Sequence, residues 1–320
     1  MLVIAGPTAS GKSVLALELA DVFDGTVINA DSRQIYRDLR VLTARPDATA
    51  EERAPHRLYG FLDAAERGSV ADWRTLALDE VGAATRAGRL PILVGGTGLY
   101  FRALTRGLFP GPGRDAALRG RLESIAGRRG AAFLHRMLRR VDPPSALRIQ
   151  PRDLKRMIRA LEVYFLTGRP LTAHFAETRS PIPDVDVVAI ALRLPAGETA
   201  DRVNRRVDEQ FERGLLDEIR TLLARGIPET ARPFGGLVYR QALEHLRGVR
   251  DEASTRALIA QENRRYARRQ LIWFRKEPNL TWFDGPGSSP ATIDRVTTFV
   301  DERLQFHSAG PIPPDTHHAR

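Results

Sequence analysis

Short apolar runs alternate with amphipathic runs through the first hundred residues. Residues 2–5 have the pattern of a buried strand, residues 14–20 carry leucines suited to helix packing, and "GTVINADS" is a second apolar run that ends at Asp31. "VADWRTLALDEVGAATRAGR" has helical spacing with Gly88 as a C-cap, and "LPILVGGTGLYFRAL" predicts a strand, a glycine turn and a helix. This alternation predicts a doubly wound α/β core with a parallel sheet.

The pattern changes near "FPGPGRD", and from there to about Pro183 it is helical and rich in arginine. "DVVAIALRLP" predicts a return to a strand, followed by further helices and a long basic helix around "ENRRYARRQLIWFRK". We therefore predict a core of residues 1–109 and 184–285 that includes C-terminal helices, and a helical insertion of residues 110–183. Residues 286–320 are predicted to form a linker beginning near "DGPGSSP", a partial helix and a disordered tail.

The loop between the first strand and helix has the pattern G-x-x-x-x-G-K-[ST], which cradles phosphates. Its glycines let backbone N–H groups turn inward, and the following helix adds its positive end. Lys12 would reach the terminal phosphates and the Ser13 hydroxyl would bind Mg²⁺. The alternative is a tight turn without a ligand. The predicted diphosphate-binding residues are Gly6, Pro7, Thr8, Ala9, Ser10, Gly11, Lys12 and Ser13.

One acidic residue is predicted at the same edge of the sheet. The strand "PILVGG" ends in glycines and Thr97, whereas a P-loop ATPase usually has an aspartate after its second conserved strand. Asp31 instead ends the neighbouring strand, where it could accept a proton from an incoming nucleophile. Its alternatives are a helix N-cap or support of Mg²⁺. Thr97 could donate a hydrogen bond to a phosphate or orient the nucleophile. Alternatively, the glycines of this segment only allow the backbone to turn tightly.

Composition narrows the class of protein. The chain has 320 residues, is 42% hydrophobic, has no cysteine and carries a net charge of +10. Disulfides and thiolate sites are excluded, which favours a reducing cytoplasm, and we expect no signal peptide and no membrane span. The positive charge indicates a polyanionic partner, or alternatively a GC-rich genome that favours arginine.

The basic residues cluster on predicted helices. Lys155, Arg156 and Arg159 share one face, Arg264, Arg268 and Arg275 share another, and Arg202 and Arg206 lie one turn apart. A single cluster usually forms a solvated face. The second has few nearby acids to offset repulsion among its cations, which favours a nucleic-acid backbone as its partner. A phosphate of a small substrate suits Arg202 or Arg206 better.

The motifs together resemble one family, the tRNA dimethylallyltransferases, also called tRNA isopentenyltransferases. The resemblance runs along nearly the whole chain through "GPTASGKS", "NADSRQIYRDL", "APHRL", "LVGGTGLYFRAL", "KRMIRALEVY", "RVNRRVD", "VYRQAL" and "RRYARRQLIWFR". It implies a P-loop NTPase-like core with a tRNA-binding helical insertion. It also implies that the loop binds dimethylallyl diphosphate with Mg²⁺, and that the acceptor is N6 of the adenosine on the 3′ side of the anticodon, in the tRNA anticodon stem-loop. We expect a monomer.

Roles follow from the resemblance residue by residue. Asp31 is implied as the general base, Thr97 as a site threonine and Arg206 as an aid to the leaving diphosphate. The chain has Gly235 where the family usually has arginine, and Val238 where it usually has glycine, so these two positions depart from the pattern. The implied RNA-contacting residues are Asp31, Ser32, Arg33, Gln34, Thr97, Arg119, Lys155, Arg156, Met157, Ile158, Arg159, Tyr239, Arg240, Arg268, Arg269, Gln270, Trp273 and Arg275.

Three alternative functions would each explain part of the sequence. A P-loop kinase for a small hydroxyl substrate would explain the loop and Asp31 but would leave the basic helices unused. An adenylate isopentenyltransferase acting on free AMP would need no insertion to grip a stem-loop. An RNA-binding protein with a vestigial P-loop would not need intact Lys12, Ser13 and Asp31.

Overall fold

The computed structural model describes residues 1–66 and 68–308. It divides into two compact units, Met1–Phe101 with Asp184–Arg320, and Arg102–Pro183. The first boundary therefore follows Phe101, within a helix, whereas the sequence placed it after residue 109. Each unit is described by itself below.

A six-stranded sheet forms the centre of the first unit. The strands are β1 (Leu2–Ala5), β2 (Gly25–Asn29), β3 (His56–Arg57), β4 (Leu90–Val94), β5 (Val188–Arg193) and β6 (Thr281–Asp284). Their order is β3-β2-β4-β1-β5-β6, and every pairing is parallel. The predicted α/β class with a parallel sheet is confirmed. The sequence did not predict the edge strands β3 and β6, which are short and lack an uninterrupted apolar run.

Fifteen α-helices lie in the described part of the chain. They are α1 (Lys12–Val22), α2 (Arg40–Thr43), α3 (Ala48–Arg53), α4 (Val70–Arg86), α5 (Gly98–Thr105), α6 (Ala116–Arg129), α7 (Ala131–Val141), α8 (Pro143–Arg148), α9 (Leu154–Thr167), α10 (Leu171–Glu177), α11 (Ala196–Glu212), α12 (Leu215–Ala224), α13 (Leu237–Leu246), α14 (Glu252–Phe274) and α15 (Pro290–Ser308). Local chemistry sets several ends. Ser69 and Asp72 form a reciprocal capping box at the start of α4, which satisfies two otherwise unpaired backbone donors.

The core of the first unit explains why its strands are almost purely apolar. Leu2, Ile4 and Ile92 of β1 and β4 are buried among helix side chains. Helix α15 contributes Val296 and Val300, both fully buried, to the same core. The prediction of a linker and a partial helix after residue 285 therefore understated this region, because α15 packs on the sheet. Residues 309–320, predicted as a disordered tail, lie outside the described residues.

The second unit is a bundle of short helices with its own core. Leu134, Leu138 and Leu161 are fully buried at its centre. Aspartates cap two of its helices, since Asp115 and Asp153 accept hydrogen bonds from the third residue beyond each cap. These caps fix where α6 and α9 begin and therefore which faces they bury.

Candidate active site

The phosphate loop links β1 to α1 in a strained, inward-turning conformation. Gly6, Ala9 and Gly11 have φ values of 146°, 62° and 85°. A Cβ on Gly11 would lie 2.8 Å from the backbone nitrogen of Gly287, so a side chain there is excluded by both conformation and space. Positive φ at Ala9 costs an L-residue energy, which the surrounding structure must offset.

The side chain of Lys12, the first residue of α1, reaches back into this loop. Its ammonium donates a hydrogen bond to the carbonyl of Pro7 at 2.6 Å. The pKa of Lys12 is lowered to about 8, chiefly by burial; the negative charge of Asp31 opposes this effect and the positive charge of Arg206 adds to it. An anion bound in the loop would favour the protonated form of this side chain.

A cavity of about 410 Å³ opens beside the loop. Its charged lining consists of Lys12, Arg202, Arg205, Arg206 and Glu209, and Ser13 lies at the same wall. Four cations facing one space suit a diphosphate, which carries several negative charges.

A magnesium ion would suit this cavity through Ser13. No group of three or more His, Cys, Asp or Glu side chains within residues 1–66 and 68–308 could hold a metal. Mg²⁺ commonly takes its ligands from substrate phosphates and waters with few protein oxygens, so a single hydroxyl beside a phosphate site fits its chemistry.

A second cavity, of about 330 Å³, contains Asp31. Arg206 lines both cavities and thus joins them. Its guanidinium donates to Oγ1 of Thr8 at 3.2 Å and to the carbonyl of Thr43 at 3.1 Å. Burial lowers the pKa of Arg206, while Asp31 and Glu209 act to raise it. The predicted diphosphate loop, base and arginine are therefore brought together.

Short-range hydrogen bonds hold Asp31 at the end of β2. Its backbone N–H donates to Oδ1 of Asn29 at 2.8 Å, and its own Oδ1 accepts the N–H of Arg33 at 2.8 Å. Asp31 thus closes a turn rather than capping a helix. Thr97 accepts the N–H of Ser32 at 2.9 Å and donates to the Ser32 hydroxyl at 3.2 Å. In this structure Thr97 positions the turn beside Asp31.

Two predicted RNA-contacting residues near Asp31 have structural partners. The Gln34 amide donates to the carbonyls of Thr43 and Ala44 at 3.1 and 3.0 Å. The Arg33 guanidinium packs against Gly236 and lies 3.5 Å from the carbonyl of Pro233. Arg33 still lines the Asp31 cavity, whereas the amide nitrogen of Gln34 is bonded to the C-terminal end of α2.

Helix α14 presents different residues on its two sides. Gln270 is buried and bonded to Thr8 and Gly96, and Trp273 packs directly against Gly98. Arg268 and Arg275 are exposed and line a separate groove of about 650 Å³, and Arg269 is also exposed. The side chains of the three arginines are exposed to solvent, where they could meet RNA. The RNA contact predicted for Gln270 stays a prediction, and in this structure its amide is buried and paired within the protein.

Some of the α9 residues predicted to contact RNA are buried in the core of the second unit. Met157 and Ile158 are 0% and 4% exposed in the second unit, so in this structure their side chains face the core of that unit rather than solvent. Their predicted contact with RNA stays a prediction. Arg159 pairs with buried Glu162 at 2.7 Å, as does Arg119. Lys155 and Arg156 are exposed, as predicted for a binding surface.

Tyr239 and Arg240 are consecutive in the chain, but the first is buried and the second is exposed to solvent. Tyr239 is 1% exposed, lines the Asp31 cavity and has a buried hydroxyl with no hydrogen-bond partner among the described residues. Burial raises its pKa far above the usual range. Arg240 is exposed and forms a long ion pair with Glu244. Tyr239 is thus placed to face a substrate inside the cavity, and Arg240 a partner outside it.

Comparison with known proteins identifies the family. The model of the IPP transferase family matches residues 34–277. A tRNA dimethylallyltransferase of Geobacter metallireducens is 40% identical over 299 residues, which cover 93% of this chain and 97% of that protein. The chain belongs to the IPP transferase family. The tRNA dimethylallyltransferase of Azorhizobium caulinodans is 44% identical over 92% of this chain and 94% of its own length.

Solved structures agree with this membership. The full-length tRNA isopentenylpyrophosphate transferase from Bacillus halodurans is 36% identical, with a TM-score of 0.72 over 96% of this chain and 97% of that one. A eukaryotic dimethylallyltransferase described as acting on tRNA is 25% identical, with a TM-score of 0.80 over 98% of this chain and 81% of its own. The family resemblance stated from the motifs is confirmed.

Sequence reasoning missed several residues of the two cavities. Arg205 and Glu209 line the phosphate cavity, and Asn263 and Tyr266 line the Asp31 cavity. Val238, which stands where the family pattern usually has glycine, also lines the Asp31 cavity. For the phosphate cavity, the available signal was the helical spacing on α11, where Arg205 and Arg206 follow Arg202 by about one turn. No local pattern distinguishes Asn263 from an ordinary helix residue.

Proposed function

We propose that this chain transfers a dimethylallyl group from dimethylallyl diphosphate to N6 of the adenosine 3′-adjacent to the anticodon of tRNA. The observation that carries this proposal is the position of Arg206, which lines both the phosphate cavity and the cavity of Asp31. A leaving diphosphate and a proton-accepting carboxylate would then face the same reacting centre. The names of the related proteins support tRNA as the acceptor.

The reaction exchanges one bond for another. The N6 nitrogen forms a bond to C1 of the dimethylallyl group while the C1–O bond to diphosphate breaks, and diphosphate leaves with that electron pair. One N6 proton passes to the carboxylate of Asp31 as the nitrogen becomes bonded to carbon. Because the N6 lone pair is delocalised into adenine, both the removal of this proton and the stabilisation of the leaving group are needed.

The charges around the loop are suited to the leaving group. Lys12 and Arg206 would stabilise negative charge that develops on the bridging oxygen, and inward N–H groups of the loop would hold the diphosphate. A magnesium ion held by Ser13 and the diphosphate would supply further neutralisation of that charge.

A small cavity of about 40 Å³, which Thr8 and Arg206 also line, has both polar and apolar walls. Leu42, Val203 and Val207 supply part of its apolar wall, against which methyl groups of the prenyl chain could pack. Tyr239 and Tyr266 line the Asp31 cavity, where an adenine that has left the RNA stack would bind.

The acceptor RNA would be held by exposed cations of each unit. Arg268, Arg269 and Arg275 are available on α14, and Lys155 and Arg156 on α9. Phosphate contacts of this kind position an RNA without reading its sequence. A chain without cysteine suits the reducing cytoplasm, where tRNA is modified.

The proposal is tested by incubating the purified chain with Mg²⁺, unmodified tRNA and either dimethylallyl diphosphate or ATP, followed by mass analysis of the digested nucleosides. We expect adenosine that is heavier by one dimethylallyl group, with the isoprenoid donor only. Unmodified tRNA together with phosphate release from ATP would replace this proposal with a kinase or ATPase function. Modification of free AMP at a comparable rate would instead support an adenylate isopentenyltransferase.

A further inference from the structure

The outer side of the phosphate loop is packed against a distant segment of the same unit. This segment, residues 285–289, lies between β6 and α15 and is called here the C-terminal clamp. It follows the end of the region that the family model matches, residue 277. Its backbone is anchored because Gly285 N–H donates to the carbonyl of Arg193 at 3.0 Å. The sequence predicted only a linker here.

Two consecutive carbonyls of the phosphate loop accept hydrogen bonds from groups outside the loop. The carbonyl of Ser10 accepts the N–H of Gly287 at 2.9 Å. The carbonyl of Ala9 accepts Nε of Arg202 at 2.8 Å, and Nη2 of Arg202 donates to the Ser288 hydroxyl at 3.1 Å. Arg202 therefore ties the clamp and the loop together.

The orientation of these carbonyls fixes the orientation of the next two N–H groups. In a planar trans peptide the C=O and N–H point in opposite directions. An outward carbonyl on Ser10 therefore turns the N–H of Gly11 inward. The N–H of Ser10, by contrast, is bonded to the carbonyl of Pro7 at 3.4 Å, and that carbonyl also accepts Lys12. The N–H of Gly11 is therefore the donor that this arrangement directs toward the side where a diphosphate would bind.

We propose that the C-terminal clamp and Arg202 are positioning elements for the diphosphate, which hold the N–H of Gly11 inward before the ligand arrives. The inference rests on the proposed function of the loop. Without the clamp, Ala9 would relax from its unfavourable φ of 62° and the peptide would rotate. Prearranged donors bind an anion more tightly because no ordering is needed on binding.

Gly287→Ala is the discriminating variant. Gly287 is buried and lines neither cavity, so it does not contact a bound diphosphate directly. A Cβ there would also lie 2.8 Å from Cδ1 of the buried Leu192, and the melting temperature reports any effect on the core. A Cβ at this position would lie 2.7 Å from the backbone oxygen of Gly11, which pushes the loop away from the clamp. Gly197→Ala is the matched control, because a Cβ there meets no atom within 4 Å.

Binding of inorganic diphosphate, measured by calorimetry with Mg²⁺, gives the readout, alongside tRNA affinity and the melting temperature. We expect Gly287→Ala to weaken diphosphate binding about tenfold, while Gly197→Ala matches the wild type. Affinity for tRNA should be unchanged in both, which a general loss of structure would not allow. Equal diphosphate affinity in Gly287→Ala and wild type overturns the inference.

Two further outcomes distinguish the role of the clamp from the proposed function of the loop. If the wild type itself does not bind diphosphate, the proposed function fails rather than the role of the clamp. If Gly287→Ala melts well below the wild type, Ser288→Ala decides, since this change removes only the bond to Arg202. We expect it to weaken diphosphate binding by about threefold, and an unchanged affinity counts against the clamp.

Discussion

Gln270, near the end of α14, holds Thr8 in the phosphate loop. Its Oε1 accepts the Thr8 N–H at 2.8 Å, while its Nε2 donates to the carbonyl of Gly96 at 2.9 Å. The amide thus joins the loop after β1 to the turn after β4. Exposed Arg268 and Arg269 precede it on the same helix. A helix that offers cations to solvent therefore also fixes the backbone that would hold the donor.

Gln270→Ala should weaken the donor site rather than the RNA surface. Loss of the amide leaves the buried carbonyl of Gly96 unpaired, which costs about 1–3 kcal/mol of stability. We expect a lower free energy of unfolding in urea and a higher KM for dimethylallyl diphosphate, with little change in tRNA affinity. Weaker tRNA binding at full stability would instead support the direct RNA contact predicted from the sequence.

Asp31→Ala should remove most turnover while tRNA still binds. Without the carboxylate no group at this position accepts the N6 proton, and loss of a general base typically costs about 10²–10⁴ in rate. Single-turnover kinetics and a filter-binding titration measure the two properties. Asp31→Asn is the companion variant, since it keeps the side-chain oxygen that accepts the Arg33 N–H. Normal turnover in either variant would exclude Asp31 as the base.

Affinity for the donor should fall as the pH rises above about 8. Burial lowers the pKa of Lys12 to about 8, so the free enzyme loses this charge as the pH rises through that value. Binding of an anion favours protonated Lys12, so affinity is greatest below pH 8 and falls by at most about tenfold per pH unit above it. Lys12→Arg, which stays charged throughout, should give a flatter profile of KM for the donor from pH 7 to 10. Parallel profiles would show that Lys12 does not titrate in this step.

Glu162→Gln should destabilise the helical unit at neutral pH. Burial opposes ionisation of Glu162, but hydrogen bonds from Arg119, Arg159 and the N–H of Asp115 outweigh it and lower its pKa from 4.5 to about 2. A depressed pKa stabilises the fold above pH 4.5, and this contribution is lost as the pH falls toward 2. Breaking a buried pair costs about 3 kcal/mol.

Urea unfolding at pH 7 and pH 3 checks this prediction. The difference between wild type and Glu162→Gln should shrink at the lower pH, because wild-type Glu162 then loses its advantage. Glu177→Gln is the control on the same unit, since its pair with Arg169 is exposed and should matter little. A difference that is independent of pH would assign the effect to packing rather than to charge.

Arg268→Ala should weaken RNA binding and its dependence on salt. Arg268 is exposed, and no acidic partner faces it among the residues that the structure describes. Loss of one phosphate contact should reduce the slope of log affinity against log salt by about 1. Arg303→Ala, which removes an exposed arginine of α15, is the matched control and should keep the wild-type slope. An unchanged slope for Arg268→Ala would place this arginine outside the interface.

The sequence by itself determined the parts of the site that depend on local spacing. The phosphate loop was readable because its glycines are required by backbone conformation, as the positive φ of Gly6 and Gly11 demonstrates. Asp31 was placed beside it because parallel strands bring their carboxyl ends to one edge. Both inferences use only short-range geometry and one rule of sheet topology, so no knowledge of side-chain packing was needed.

Only the tertiary structure decided which faces of the helices meet solvent and which meet the core. Met157 and Gln270 follow basic residues directly, yet one is buried in a helical core and the other bonds the phosphate loop. The packing of Gly287 against Gly11 joins segments that are far apart in the chain, and no local pattern announces it. A helical period shows that a helix has two sides, whereas the groups that each side contacts are set by the rest of the folded chain.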